Sequence, residues 1–168
     1  MPHTAPPHPK PIQRRSHEEQ QRLHLAITEL WEQRITFNTV LGLTVESLDP
    51  ASPRLRFAMR PELVGHYLYG RLHGGVISAA LDAMGGYALT IAIGEKHADE
   101  SADQVLHRFG RMGTIDLRID YLRQGIGRHF IASAEVTRLG GRVGSTQMRL
   151  HNDEGLLIAT GAAAYIVS

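Results

Sequence analysis

The stretch Val76–Ile93, V-I-S-A-A-L-D-A-M-G-G-Y-A-L-T-I-A-I, is apolar on nearly every side and carries one charge, Asp82. A helix of this length barely spans a bilayer, and a central Asp costs about 2.5–3.5 kcal/mol on insertion scales. Ser78, Gly85, Gly86 and Thr90 weaken a membrane span further. A helix that is apolar all round belongs at the centre of a soluble fold, with a sheet curled about it.

The flanking sequence supplies that sheet. Downstream, Ile115, Leu117, Ile119 and Tyr121 alternate with Asp116, Arg118 and Asp120, the period of a strand. Gly125 and Gly127 allow a turn, and Phe130–Arg138 reads as the next strand. Gly140-Gly141 signals a hairpin returning along Arg142–Asn152, and Asp153-Glu154-Gly155 turns the chain into Leu156–Val167. Upstream, Ser16 with Glu19 forms a capping box for a helix over about 17–36, with Leu23, Ala26, Ile27, Leu30 and Trp31 on one face. Strands follow at Val40–Leu48, closed by Asp49-Pro50, and at Leu55–Met59; residues 62–72 read as a loop. The pattern predicts an α+β fold, an antiparallel sheet around a central helix of about residues 75–93 with an extra N-terminal helix. Residues 94–113 mix acids and bases, with a short helix near Ser101–His107, and read as a candidate lid.

Composition narrows the chemistry. The 168 residues suit a single domain with a true core. With no cysteine there is no disulfide, no thiolate metal site and no cysteine nucleophile, and a cytoplasmic location is the simpler reading. Residues 1–15 hold Lys10, Arg14 and Arg15 with no acid, together with Pro2, Pro6, Pro7, Pro9 and Pro11; residues 16–168 hold 15 bases against 17 acids. This predicts a disordered, Pro-rich basic tail over 1–15, and one domain over 16–168. The tail lacks the apolar run of a secretory signal, and its three charges without aromatic partners do not make a nucleic-acid site.

Immediately before the apolar helix stands Arg71-Leu72-His73-Gly74-Gly75. Two glycines at a helix start leave backbone N–H groups unshielded, where the helix dipole favours a developing oxyanion; equally, two glycines allow close packing against a sheet. Asp82 is costly in an apolar helix unless paired or used. Nine residues separate it from His73, which is ~13.5 Å along the axis and about half a turn around it. If both act in one reaction, Asp82 must face the helix start of a second chain, which implies a site shared across a dimer.

The run R-L-H-G-G-V-I-S-A-A-L-D at Arg71–Asp82 resembles the signature of hotdog-fold acyl-CoA thioesterases, in the PaaI-like branch. R-M-G-T-I-D-L-R-I-D-Y-L-R at Arg111–Arg123, L-H-N at Leu150–Asn152 and L-I-A-T-G-A-A-A-Y-I-V at Leu157–Val167 strengthen the likeness to that branch's bacterial medium/long-chain acyl-CoA thioesterases. The resemblance covers about Phe37 to the end. It implies a hotdog fold and hydrolysis of acyl-CoA by dimers, or dimers of dimers, joined edge to edge. It also implies that the Gly75 N–H, with Gly74 a further candidate, polarises the thioester carbonyl, that Asp82 of the partner is nucleophile or general base, and that His73 holds the helix start. No metal and no separate cofactor is expected, because coenzyme A arrives as part of the substrate. No nucleic-acid or membrane partner is expected either.

The chain departs from the family just upstream. Many relatives carry Asn or Gln six or seven residues before the HGG histidine; here His66 and Tyr67 stand there, so His66 is a candidate that would add pH dependence, or else a solvated loop residue. The Ser or Thr that some relatives carry beyond the helix has no clear match. For the phosphates of coenzyme A the candidates are Arg123, Arg138 and Arg142, although exposed arginines beside turns are ordinary. Leu81, Met84 and Tyr87 either line an acyl tunnel or are simply core. Two other readings share the fold: a non-catalytic acyl-CoA sensor, and an acyl-thioester dehydratase or hydratase.

Overall fold

A computed structural model describes residues 14–168. Ser16 caps α1 (His17–Glu29) by accepting the Glu19 N–H, and Leu23 and Ile27 turn inward from it. The helix widens into a π turn (Leu30–Arg34) that buries Trp31, then continues as α2 (Thr36–Leu41). Val40 therefore ends a helix instead of opening a strand. Gly42, at φ 70°, stops that helix, and β1 (Thr44–Ser47) starts four residues later than its β-branched composition suggested. Local strand propensity loses here to the packing that the Asn38 side chain secures by donating to the Trp31 carbonyl at 3.0 Å.

After β2 (Arg54–Ala58) the predicted 62–72 loop is more ordered than expected. A 3₁₀ turn (Pro61–Leu63) leads into a small hairpin, β3 (Val64–His66) and β4 (Arg71–Leu72). Gly65 makes the hairpin possible, since a Cβ there would lie 2.6 Å from the His73 Cα. The central helix, α3, runs Gly74–Lys96, longer at both ends than the apolar run. α4 (Ala102–Phe109) follows, with Ser101 and Gln104 forming a capping box. It is no loose lid: Ala102 and Val105 are buried, and the Ala102 N–H donates to Glu19 Oε1 at 2.8 Å.

β5 (Gly113–Tyr121), β6 (His129–Leu139), β7 (Val143–Asn152) and β8 (Leu157–Ile166) complete a six-stranded antiparallel sheet in the order β1-β2-β6-β7-β8-β5. β5 pairs with β8, not with its sequence neighbour β6, and so occupies one edge. The sheet curls around α3, whose buried side includes Leu81, Met84, Tyr87 and Leu89. α3 is long and apolar enough to cross a membrane, but it lies in the core of this fold.

Of the predicted tail, residues 1–13 lie outside the described residues. Arg15 is not a solvated lead-in. Its guanidinium donates to the carbonyls of Gly94 and His97, both at 2.6 Å, and of Glu100 at 3.0 Å. It thereby satisfies orphan carbonyls at the C-terminal end of α3.

Candidate active site

The helix start is built by the β3–β4 hairpin. The His73 N–H donates to the Leu63 carbonyl at 2.9 Å, which fixes the residue in an extended conformation as the N-cap of α3. Its Nδ1 then accepts the Gly75 N–H at 2.9 Å, while the Val76 and Ile77 N–H groups share the His73 carbonyl. The Gly75 N–H, expected to face the substrate, is thus taken by the cap. Among the described residues no acceptor is in range of the Gly74 N–H. That N–H is the open donor at the positive end of the helix dipole.

Tyr121, at the end of β5, lies over this turn. Its hydroxyl donates to the Gly74 carbonyl at 3.1 Å and meets the Ser78 hydroxyl at 2.5 Å, and Ser78 also donates to that carbonyl. Ser78 is thereby committed to the helix backbone and is no nucleophile. Sequence reasoning missed Tyr121, and the only available sign was an aromatic ring closing a strand of alternating charge.

Asp82 sits half-buried two turns further on. Its Oδ1 accepts from the Thr114 hydroxyl at 2.8 Å and from the Tyr165 hydroxyl at 3.3 Å, and Tyr165 also donates to the Asp82 carbonyl at 2.8 Å. Burial first, then the Asp82 carboxylate, push the Tyr165 phenol well above its ordinary pKa, so it stays a donor. Gly85 admits this ring, because a Cβ there would lie 2.2 Å from the Tyr165 oxygen. Sequence reasoning missed Thr114, because it lies 32 residues from Asp82 and no local pattern marks it. Eight residues separate Gly74 from Asp82, about 12 Å of helix, so one chain does not bring them together.

The remaining candidates divide. His66, in β3 opposite Arg71, stacks with Tyr67 at 5.8 Å and approaches Tyr69 at 4.9 Å; its buried Nδ1 has no partner among the described residues. Its hairpin abuts the helix start, but no hydrogen bond joins it to Gly74 or Asp82 among the described residues. Arg123 lines a cleft of about 400 Å³ together with Arg71, Gly74 and Tyr121. Arg138 and Arg142 flank the β6–β7 turn, whose Gly140 carbonyl accepts from Lys96 at the far end of α3. That end is roughly 33 Å from the helix start in the same chain. Leu81, Met84 and Tyr87 are fully buried, and the Tyr87 hydroxyl donates to the Ser47 carbonyl at 2.8 Å. They are core.

The sequence pattern that defines the thioesterase superfamily matches residues 69–159, from the hairpin tip through α3 into β8. The chain belongs to the thioesterase superfamily. It is 39% identical over 141 residues to the medium/long-chain acyl-CoA thioesterase YigI of Salmonella typhimurium, covering 84% of this chain and 91% of that one. A crystal structure of a Shewanella oneidensis protein related to the thioesterase superfamily superposes with a TM-score of 0.85 at 34% identity, over 91% of this chain and all of that one. The E. coli PaaI protein shares the fold, with a TM-score of 0.66 at 18% identity, covering 91% of this chain and 95% of that one. The hotdog fold expected from the HGG-plus-Asp run is the fold observed.

Proposed function

We propose that this protein hydrolyses acyl-CoA thioesters, with medium to long acyl chains, to free acid and coenzyme A. The reading includes a cytoplasmic location and a dimer, or dimer of dimers, with sites shared between subunits. The observation that carries it is Asp82. One carboxylate oxygen is held by Thr114 and Tyr165, while Oδ2 has no partner among the described residues. A carboxylate oriented by two hydroxyls with its second oxygen uncommitted suits work on a substrate. The 39% identity to a medium/long-chain acyl-CoA thioesterase supports the substrate class.

In this reading the thioester carbonyl accepts the Gly74 N–H at the head of α3, and the helix dipole stabilises the oxyanion that develops. Asp82 approaches from the second chain. As base it takes a proton from water while the water oxygen bonds to the carbonyl carbon; as nucleophile its Oδ2 forms that bond itself. On the base route, collapse of the oxyanion breaks the C–S bond and the Asp82 carboxyl returns its proton to the departing thiolate. On the nucleophile route the thiolate leaves, protonated by water, and a second water hydrolyses the resulting anhydride to free acid and the Asp82 carboxylate.

The edge strand supports the pairing of two chains. Among the described residues β5 has a strand neighbour on one side only, and Ile115 on it is 54% exposed. Thr114 of β5 touches Asp82, and Tyr121 of β5 touches Gly74. Antiparallel pairing of two β5 strands about Leu117–Arg118 sets Thr114 opposite Tyr121 of the second copy. One chain's Asp82 then comes toward the other's helix start.

The test is Asp82→Asn with release of free thiol as the readout. Hydrolysis of long-chain acyl-CoA should fall about 10²–10⁴-fold with the oligomer intact. Undiminished turnover removes Asp82 from the chemistry. Saturable binding of acyl-CoA by the unaltered protein without thiol release would replace the enzyme with a sensor.

A further inference from the structure

We infer that Tyr121 is a positioning residue of the hydrolysis: its hydroxyl pins the Gly74–Gly75 peptide, so that the Gly74 N–H is already set for the thioester oxygen when substrate arrives. This inference rests on the acyl-CoA reading and assigns the group that supports its oxyanion donor.

The need for a pin comes from the sequence. Gly74 and Gly75 have no side chains to restrict φ and ψ, so a donor on this pair is poorly oriented unless other groups fix it. An oxyanion donor works by being preorganised, and a peptide plane that must turn during the reaction forfeits much of that benefit.

Both peptide planes that flank Gly74 are held. On the N-terminal side the His73 carbonyl accepts from the Val76 and Ile77 N–H groups. On the C-terminal side His73 Nδ1 holds the Gly75 N–H at 2.9 Å, and the Tyr121 and Ser78 hydroxyls hold the other end of the same peptide, the Gly74 carbonyl, each at 3.1 Å. With a fixed plane on either side, the N–H between them has one direction. The two hydroxyls are 2.5 Å apart, so one donates to the other and the second proton goes to the carbonyl. In either order the Gly74 oxygen keeps a donor, and the two bonds reinforce each other.

Among the described residues that hold the Gly74–Gly75 peptide, Tyr121 alone comes from another element. His73 and Ser78 move with the helix start, whereas Tyr121 ends β5 and ties the peptide to the sheet. Its ring completes the clamp, because a Cβ on Gly74 would lie 3.4 Å from Tyr121 Cε1. The ring is 54% exposed and adds little to the core, so its burial does not account for its placement. β5 also carries Thr114, which orients Asp82, so one strand sets both reacting groups at its two ends. In the pairing of two β5 strands, the donor and the carboxylate of one shared site are then set by residues that face each other across the strand pair.

Tyr121→Phe tests this, because it deletes the hydroxyl and keeps the ring. Thiol release from long-chain acyl-CoA should show kcat lowered about tenfold with KM little changed, while the oligomer and the melting temperature stay close to those of the unaltered protein. Amide hydrogen exchange at Gly74 and Gly75 should quicken about tenfold or more as the peptide plane is freed. Two inert analogues isolate the effect on the carbonyl: an S-(2-oxoalkyl)-CoA ketone, and the S-alkyl-CoA thioether that lacks the carbonyl. The variant should lose about tenfold in affinity for the ketone and nothing for the thioether. An unchanged kcat, equal losses for the two analogues, or exchange as slow as before overturns the assignment. So does a fall in kcat matched by a fall in melting temperature, which marks a defect of the fold. If the unaltered protein releases no thiol, the thioesterase reading fails on its own, and exchange at Gly74 still decides whether Tyr121 pins the peptide.

Discussion

Asp82 is constrained on one side and open on the other. Thr114 donates to Oδ1 at 2.8 Å and Tyr165 shares its one proton between Oδ1 at 3.3 Å and the Asp82 carbonyl at 2.8 Å, which orients the carboxylate, while Oδ2 has no partner among the described residues. If that setting matters, removing the Thr114 hydroxyl should slow chemistry without unfolding the chain. Thr114→Val keeps the β-branched shape that β5 favours. It should cut kcat about tenfold, the value of one hydrogen bond to a charged group, with KM little changed. Steady-state kinetics beside a thermal melt separates this from a packing defect. At this scale the sequence named Asp82, because a lone carboxylate in an apolar helix is conspicuous. It could not name Thr114 or Tyr165, which are 32 and 83 residues away and meet Asp82 only when β5 and β8 lie side by side.

α3 is held at both ends by side chains from outside it. His73 caps its start, and Arg15 caps its finish while also donating to the Glu100 carbonyl. Glu100 in turn binds the Arg108 guanidinium and faces His97, tying α4 to the end of α3. The hydrogen bond from Arg108, then the charges of Arg108, His97 and Arg15, hold the Glu100 carboxyl below its ordinary value of 4.5. A carboxyl depressed in the folded state stabilises the fold above its unfolded pKa, and that stability fades as pH falls through the folded value. Glu100→Gln should therefore cost about 1 kcal/mol or less at pH 7, since the pair is partly solvated. Its urea midpoint should converge with that of the unaltered protein as the pH is lowered from 4.5 toward 3. A constant difference across that range would mean that the Glu100–Arg108 pair is not its source.

The whole molecule raises the question of completeness. Within one chain the Gly74 donor and the Asp82 carboxylate lie two turns of helix apart, and among the described residues β5 leaves one sheet edge unpaired. A shared site predicts complementation. Asp82→Asn and Gly74→Val chains, each inactive alone, should recover about a quarter of the full activity when unfolded and refolded together. Half the dimers are then mixed, and each mixed dimer has one intact site. Thiol release from the remixed sample measures this, and no recovery would place both groups of each site within one chain.

How much could be read in advance follows from the range of the interactions involved. The apolar run from Val76, the alternation in β5 and the turn residues before β7 and β8 are local patterns of period and turn chemistry, and they determined the central helix and the antiparallel sheet; the likeness to thioesterases rests on the residue runs Arg71–Asp82, Arg111–Arg123, Leu150–Asn152 and Leu157–Val167. The HGG step and Asp82 were legible for the same reason, as exceptions within a strong local pattern. Tertiary structure decided what depends on distant partners. It committed the Gly75 N–H to His73 and left Gly74 open. It carried α2 through Val40, docked Arg15 on the end of α3, and put β5 at the edge beside β8. It also parted Arg123, beside the helix start, from Arg138 and Arg142 at the far end of α3. A hydrogen-bond donor has many acceptors of equal local merit, and only the packed chain selects among them.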